Sequence, residues 1–456
     1  MIVEENAVQA QVQARAQATA VPRWNAGLTA THWRVLWATF LGWIFDGYET
    51  FALIVAIGPA LHSLLKPDQL KTLPLWAGTA IGITLLGWGV GGVIGGVLAD
   101  YIGRKRMMLY AIFLYALFTG LTALSTSYVM LISLRFLTGL AMGSEWSTGA
   151  TLLAETWPDG ARPKGAGFMQ SGFGWGTFLA SVVWFFVNPF GPNAWRWMFV
   201  IGVLPAFFIM YIRRTVDESH RWLAAVQAQK WAATGAGEAA ATSQKPVRRP
   251  FTLTEIFREK ESRRRVLLAL GMSLATMVGW YAISSWLPGY VTATAKAQHV
   301  ANPAYWGTIA SMIYNAGSIV GYLISGFLAD RIGRRWYLEF LFIGSFILTP
   351  FTYLWTHNIT LLLIVAGING FFTLGQYAWF AIYLPELFPS TVRATAASFV
   401  FNATRLIAFA GPILSATLIQ YFGGISKAAM IFSLIYILGI AIAPFMPETV
   451  GKPLPE

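Results

Sequence analysis

Apolar residues in this chain come in long runs, and polar residues are confined to short intervals between them. The runs lie at about 35–61, 75–98, 107–125, 128–153, 166–187 and 195–212, then 266–290, 306–328, 337–356, 359–384, 396–420 and 428–446. Most exceed the ~20 residues that a helix rising ~1.5 Å per residue needs to cross a bilayer. The pattern predicts an all-α membrane protein with 12 transmembrane helices, in two pseudo-symmetric six-helix bundles. The expected divisions are a tail over 1–30, a first bundle over 31–212, a linker over 213–265, a second bundle over 266–446 and a tail over 447–456. The first tail is rich in Ala and Gln and lacks the compact apolar core of a signal peptide, so it reads as disordered. The middle of the linker, 232–244, is small and polar and reads as flexible.

The polar intervals repeat. Gly96-Val-Leu-Ala-Asp100-Tyr-Ile-Gly103-Arg104-Lys105 closes the second run, and Gly326-Phe-Leu-Ala-Asp330-Arg-Ile-Gly333-Arg334-Arg335 closes the eighth. Their acids are 330 − 100 = 230 residues apart. After the fourth run stands Glu155-Thr-Trp-Pro158-Asp-Gly-Ala-Arg162, and after the tenth Glu386-Leu-Phe-Pro389-Ser-Thr-Val-Arg393, offset by 231. Asp217-Glu218-Ser219 after the sixth run matches Pro447-Glu448-Thr449 after the twelfth. Three motifs at one offset identify a duplication into parallel halves.

Composition and charge agree. The residues are 56% hydrophobic and 11% charged, against roughly 25% charged for a soluble domain. The net charge of +12 is a matter of placement rather than of nucleic-acid binding. With both termini inside, cytoplasmic segments hold 25 of the Lys and Arg residues and outer loops hold 5. Such a bias sets orientation, because positive charge resists translocation. Arg263-Arg264-Arg265 anchors the seventh run at anionic headgroups. There are no cysteines, and no two of the five histidines have metal-ligand spacing, so neither disulfide nor metal site is expected.

An ionised side chain at bilayer depth costs at least ~2.5–3.5 kcal/mol on insertion scales, so each one needs a partner or a water-filled cavity. Asp46 and Glu49 are three apart near the middle of span 1 and share a helix face. Their repulsion favours a proton on one of them, which makes them candidate proton carriers. Arg135, in the outer half of span 4, is the expected partner of Glu49. Glu145 lies ten residues deeper, and its repeat position holds Gln376, so symmetric helix packing does not demand a carboxylate there. Arg405 is the only cation within a span of the second half. A guanidinium suits a carboxylate in two-pronged fashion, which points to an anionic substrate. Tyr48, Trp175, Trp280, Tyr281, Asn315, Asn369, Gln376, Tyr377 and Trp379 are the candidate pocket residues around it.

With the inner-loop motif, Arg135-x-x-x-Gly139, P-E-x-x-P-x-x-x-R (here Pro385 to Arg393) and P-E-T-x-G (Pro447 to Gly451), the chain resembles the major facilitator superfamily over 30–456. Phe45-Asp46-Gly47-Tyr48-Glu49 resembles the D-G-F/Y-D signature of its aromatic-acid and sialate-type organic-acid:proton symporters, with Glu where Asp is usual. The resemblance implies two bundles rocking around a central site, and no enzyme activity. It also implies a latch at the inner end, made by Asp100, Arg104, Lys105, Asp330, Arg334 and Arg335 with Glu155, Arg162, Glu386 and Arg393. The expectation is proton-coupled symport of a small organic anion in the cell membrane. Its partners are substrate, protons and lipid, without cofactor or nucleic acid, and a monomer is the working unit. A sugar or polyol porter, or a non-transporting receptor of the same fold, is the alternative.

Overall fold

The computed structural model describes residues 24–227, 251–389 and 392–455. Most of the expected first tail and the middle of the linker lie outside the described residues. Within them no strand occurs, and twelve helical spans follow in order. The first six are Ala30–Leu64, Leu73–Ile102, Arg104–Thr122, Tyr128–Met142 continued by Glu145–Thr156, Arg162–Val187 and Ala194–Thr215. The second six are Lys260–Ala297, Pro303–Ile332, Arg334–Trp355, Ile359–Leu387, Arg393–Phe422 and Ile425–Phe445. Spans 3 and 4 fall short of an uninterrupted apolar window. Span 3 opens with three cations, and span 4 is broken after Met142. The described linker ends carry short helices, His220–Gln227 and Thr252–Arg258.

The duplication extends to the helix boundaries. Span 2 and span 8 start and stop 230 residues apart. The first segments of spans 4 and 10, Tyr128–Met142 and Ile359–Thr373, are offset by 231 at both ends. Each is capped by a side-chain oxygen at the equivalent position, where Ser127 accepts from the Met130 N–H and Asn358 from the Leu361 N–H. Each span then breaks at the same place, span 4 at Gly143-Ser144 and span 10 around Gly375. Broken helices at membrane depth are tolerated where protein or a cavity takes up the freed backbone groups.

The halves meet along two seams, span 5 against span 8 and span 2 against span 11. These seams are built close. A Cβ at Gly92 would run into the carboxamide of Asn402, so only glycine fits there. At the end carrying the repeated motifs, hereafter the motif end, Gly103 and Gly333 turn the chain between spans with φ of 102° and 94°. That left-handed region is open to glycine at no steric cost.

Candidate functional site

Four charged side chains of the first half sit buried together, but in a different pairing from the expected one. Arg135 forms an ion pair with Glu49. Its other nitrogens donate to Thr122 Oγ1 at 2.7 and 3.2 Å and to Thr138 Oγ1 at 2.9 Å, and Phe199 covers it at 4.6 Å. Asp46 faces Glu145 instead of Glu49. The Glu145 carboxylate rests on the backbone of Gly42, one turn before Asp46, where any side chain would displace it. No oxygen of Asp46 or Glu145 accepts a hydrogen bond within the structure's geometric limits. The helical repeat explains the division, because residues three apart lie about 60° away from each other around the axis. Glu49 therefore reaches span 4 near its outer end, and Asp46 reaches it just past the break.

Arg405 is buried at the middle of span 11. Its guanidinium lies over Trp88 at 4.4 Å and Phe401 at 4.1 Å. It donates to the Phe401 carbonyl and, at 3.3 Å, to Asn402 Oδ1, while its Nε has no acceptor. None of the ion pairs among the described residues includes it. Two stacked faces with an open edge leave a planar cation ready for a planar anion. A cavity of ≈ 350 Å³ runs from Glu49, Thr50 and Arg135 past Trp88 to Tyr281, on the side away from the motif end.

Aromatic rings close the site toward the motif end. Trp146 stacks on Phe401 at 3.8 Å and meets Phe380 edge-on at 6.1 Å. Phe173 stands between Trp43 at 5.0 Å, Trp280 at 5.9 Å and Tyr377 at 6.5 Å. Of the expected pocket residues, Trp280, Tyr281 and Tyr377 belong to this group, Trp280 and Tyr281 being in edge contact at 4.5 Å. Asn315 lies on the seam between halves, donating to Ser181 Oγ at 3.4 Å.

Five expected pocket residues are placed elsewhere. Trp175 is 43% exposed on the outside of span 5, because the helix turns Phe173, two residues earlier, inward. Tyr48 donates to the Met198 carbonyl at 3.0 Å and packs within the first bundle. Asn369 donates to Thr352 Oγ1 at 2.8 Å, holding span 10 to span 9. Gln376 turns to the Thr373 carbonyl at 3.0 Å, and Trp379 donates to Thr276 Oγ1 at 3.1 Å.

The motif end is a polar network built twice. Arg104 binds Asp100 at 2.9 Å and approaches Glu155 at 3.8 Å, and Arg334 binds Asp330 at 2.8 Å and Glu386 at 2.9 Å. Ser219 Oγ donates to Glu155 and Thr449 Oγ1 to Glu386, each at 2.5 Å. Glu218 accepts the backbone N–H groups of Arg104 and Lys105, as Glu448 does those of Arg334 and Arg335. For Glu448, burial alone would raise the carboxyl pKa. Bonds from the N–H groups of Val450, Arg334, Arg335 and Thr449 outweigh it and hold the group below its ordinary value. Lys105 donates to the Arg213 carbonyl at 3.0 Å, Arg335 to the Pro444 carbonyl, and Arg162 pairs with Asp159.

The expected arginines mostly bind within their own half. Three other contacts cross between halves: Thr395 donates to Asp100, Lys164 pairs with Asp330, and Arg393 approaches Glu155 at 3.7 Å. Lys164 and Thr395 were not singled out from the sequence. Their spacing, 395 − 164 = 231, was the available signal.

Comparison with known proteins agrees with this geometry. A family model described as "Sugar (and other) transporter" matches residues 36–456. A probable 4-methylmuconolactone transporter of Cupriavidus pinatubonensis is 32% identical over 425 residues, covering 92% of this chain and 91% of that one. The sialic acid transporter NanX of Escherichia coli is 28% identical over 437 residues, 95% of this chain and 96% of that one. The proton:xylose symporter XylE of E. coli superposes with a TM-score of 0.73 at 19% identity, over 93% of this chain and 98% of its own, which speaks to the fold. Twelve spans in two repeated halves and a match over nearly the whole chain agree: this protein is a multi-pass membrane transporter of the sugar (and other) transporter family, within the major facilitator superfamily.

Proposed function

We propose that the protein is a proton-coupled symporter of a small organic anion, working by alternating access. The observation that carries this reading is Arg405, a buried guanidinium at mid-membrane that no carboxylate of the protein neutralises. A carboxylate substrate supplies the missing charge, and the rings of Trp88, Tyr281 and Trp280 suit a planar or aromatic body. The sialic acid transporter among the relatives is named for an acid of this class.

Asp46 and Glu145 are the proton carriers in this reading. Two buried carboxyl groups sharing one proton form a hydrogen bond and hold one charge rather than two. Glu49 and Arg135 neutralise each other and keep the wall of the cavity intact. The lysine and arginine distribution supports termini on the cytoplasmic side, with the motif end facing inward. The motif-end contacts then act as the inner gate, opened once substrate and proton are bound.

Uptake of radiolabelled acids by the purified protein in liposomes, with and without an imposed pH gradient, tests the reading. Accumulation of an aromatic or small carboxylic acid driven by an acidic outside is the expected result. Equal accumulation of a neutral sugar, or indifference to the gradient, counts against it.

A further inference from the structure

The cations that open span 7 are more numerous than the fold requires. Lys260, Arg263, Arg264 and Arg265 lie within six residues. Span 1 starts 230 residues earlier, and its first six residues, Ala30 to Val35, carry Arg34 alone. An anchor that the fold needed would recur in both halves, as the motifs and helix caps do.

These cations also converge. Arg264 and Arg265 line a cavity of ≈ 590 Å³ together with Arg335 from the start of span 9 and Phe445 from the end of span 12. One acid answers three guanidiniums, with Glu261 3.1 Å from Arg265 and 3.9 Å from Arg264. Arg335 and Arg265 otherwise meet backbone carbonyls, those of Pro444 and Leu387. A second hollow along span 7 adds Lys260 and Arg263. Immediately beside the charge, Leu267 and Phe445 are 57% and 62% exposed, on surfaces that belong against hydrocarbon. A net positive cavity with apolar walls, at the level where a span leaves the bilayer, has the two-part character of an amphiphile's binding site. Guanidinium forks match phosphodiester oxygens, and basic pockets between spans select anionic headgroups.

We propose that this cavity, between spans 7, 9 and 12, binds one anionic glycerophospholipid. Arg264, Arg265 and Arg335 hold its phosphodiester, and its acyl chains lie on Leu267 and Phe445. The apolar walls distinguish it from a site for free phosphate, which has no use for them.

Native mass spectrometry of the full-length protein in detergent, titrated with phosphatidylglycerol or phosphatidylcholine, tests the proposal. One phosphatidylglycerol should be retained in preference to phosphatidylcholine. Arg264→Gln/Arg265→Gln should weaken that retention about 10- to 30-fold, from roughly one headgroup-scale interaction lost per cation. Arg34→Gln, in the matching place of the first half, should leave it unchanged. If the double variant does not purify as a single species, Arg335→Gln alone should still lower retention. Equal retention of the two lipids, or unchanged retention in the variants that purify, overturns the proposal. So does displacement of the lipid by equimolar inorganic phosphate, which would mark a free-anion site instead.

Discussion

Lys164, at the start of span 5, pairs across the halves with Asp330, while Thr395, at the same repeat position of span 11, donates to Asp100. One seam of the motif end is therefore held by a charge pair and the other by a neutral donor. The Lys164–Asp330 pair is only partly shielded, so its loss should cost about 1–2 kcal/mol, between the ranges for exposed and buried pairs. Thr395→Val removes a hydrogen bond to a charged group, worth about 1.5–3 kcal/mol. Both changes should move the protein toward opening at the motif end. A cysteine placed at buried Ala394 in this cysteine-free chain reports it. Maleimide labelling at that site should speed up in Lys164→Met and in Thr395→Val. Unchanged labelling in both would show that neither contact holds the end shut.

The division of the four buried charges makes a second pair of expectations. Asp46→Asn and Glu145→Gln each remove a proton-holding group but leave Arg405 in place. Each should retain substrate exchange across liposomes with no gradient and lose accumulation driven by a pH gradient. Normal gradient-driven accumulation in both variants would rule this pair out as the carrier.

Glu49→Gln should behave differently, because it strands a buried guanidinium. Removing one member of a buried ion pair costs about 3–5 kcal/mol. The Thr122 and Thr138 hydroxyls cannot replace the charge, so the melting temperature in detergent should fall markedly. Glu49→Gln/Arg135→Gln should recover part of the loss. A single variant as stable as the parent would make the pair dispensable.

Glu448 supplies a pH dependence outside the membrane. Its carboxyl pKa is lowered in the folded protein by four backbone donors. A depressed folded value means that the stabilisation is present above the unfolded pKa of about 4.3 and disappears as pH falls through the folded value. Glu448→Gln should thus be less stable than the parent at neutral pH, with the difference shrinking below about pH 4. Thermal unfolding across that range measures it. A difference independent of pH would mean that the charge is not what binds the four N–H groups.

What could be read in advance follows from how each feature is encoded. Spans, repeat and motifs are set by runs and spacings along the chain, and the 230-residue offset reappears at the helix ends. Glu49 and Arg135 were legible because a buried charge must find its opposite, and few were on offer. The aromatic wall was not, because facing depends on helix rotation. Trp175 points out and Phe173 in, and nothing in so evenly apolar a span marks either direction. Trp146, Phe401 and Asn402 were missed for the same reason, although each adjoins a charge that had been singled out. Tyr48 and Asn369 are polar groups that satisfy themselves locally, which composition cannot distinguish from pocket residues.

Arg405 carries the substrate assignment, so its variants test it most directly. The guanidinium is sandwiched by Trp88 and Phe401 and steadied by Asn402 Oδ1, which fixes the plane in which it can accept a ligand. An ammonium keeps the charge but loses the stacking and the second prong. One charge-assisted hydrogen bond is worth about 1.5–3 kcal/mol, so Arg405→Lys should weaken substrate affinity about 10- to 100-fold. Arg405→Ala should abolish binding, while Asn402→Ala, which frees the guanidinium to turn, should weaken affinity less than either. Amides of the transported acid should fail to compete, because they leave the cation uncompensated. Competition by the amide as strong as by the acid, or ordinary affinity in Arg405→Ala, would remove the anion from the site.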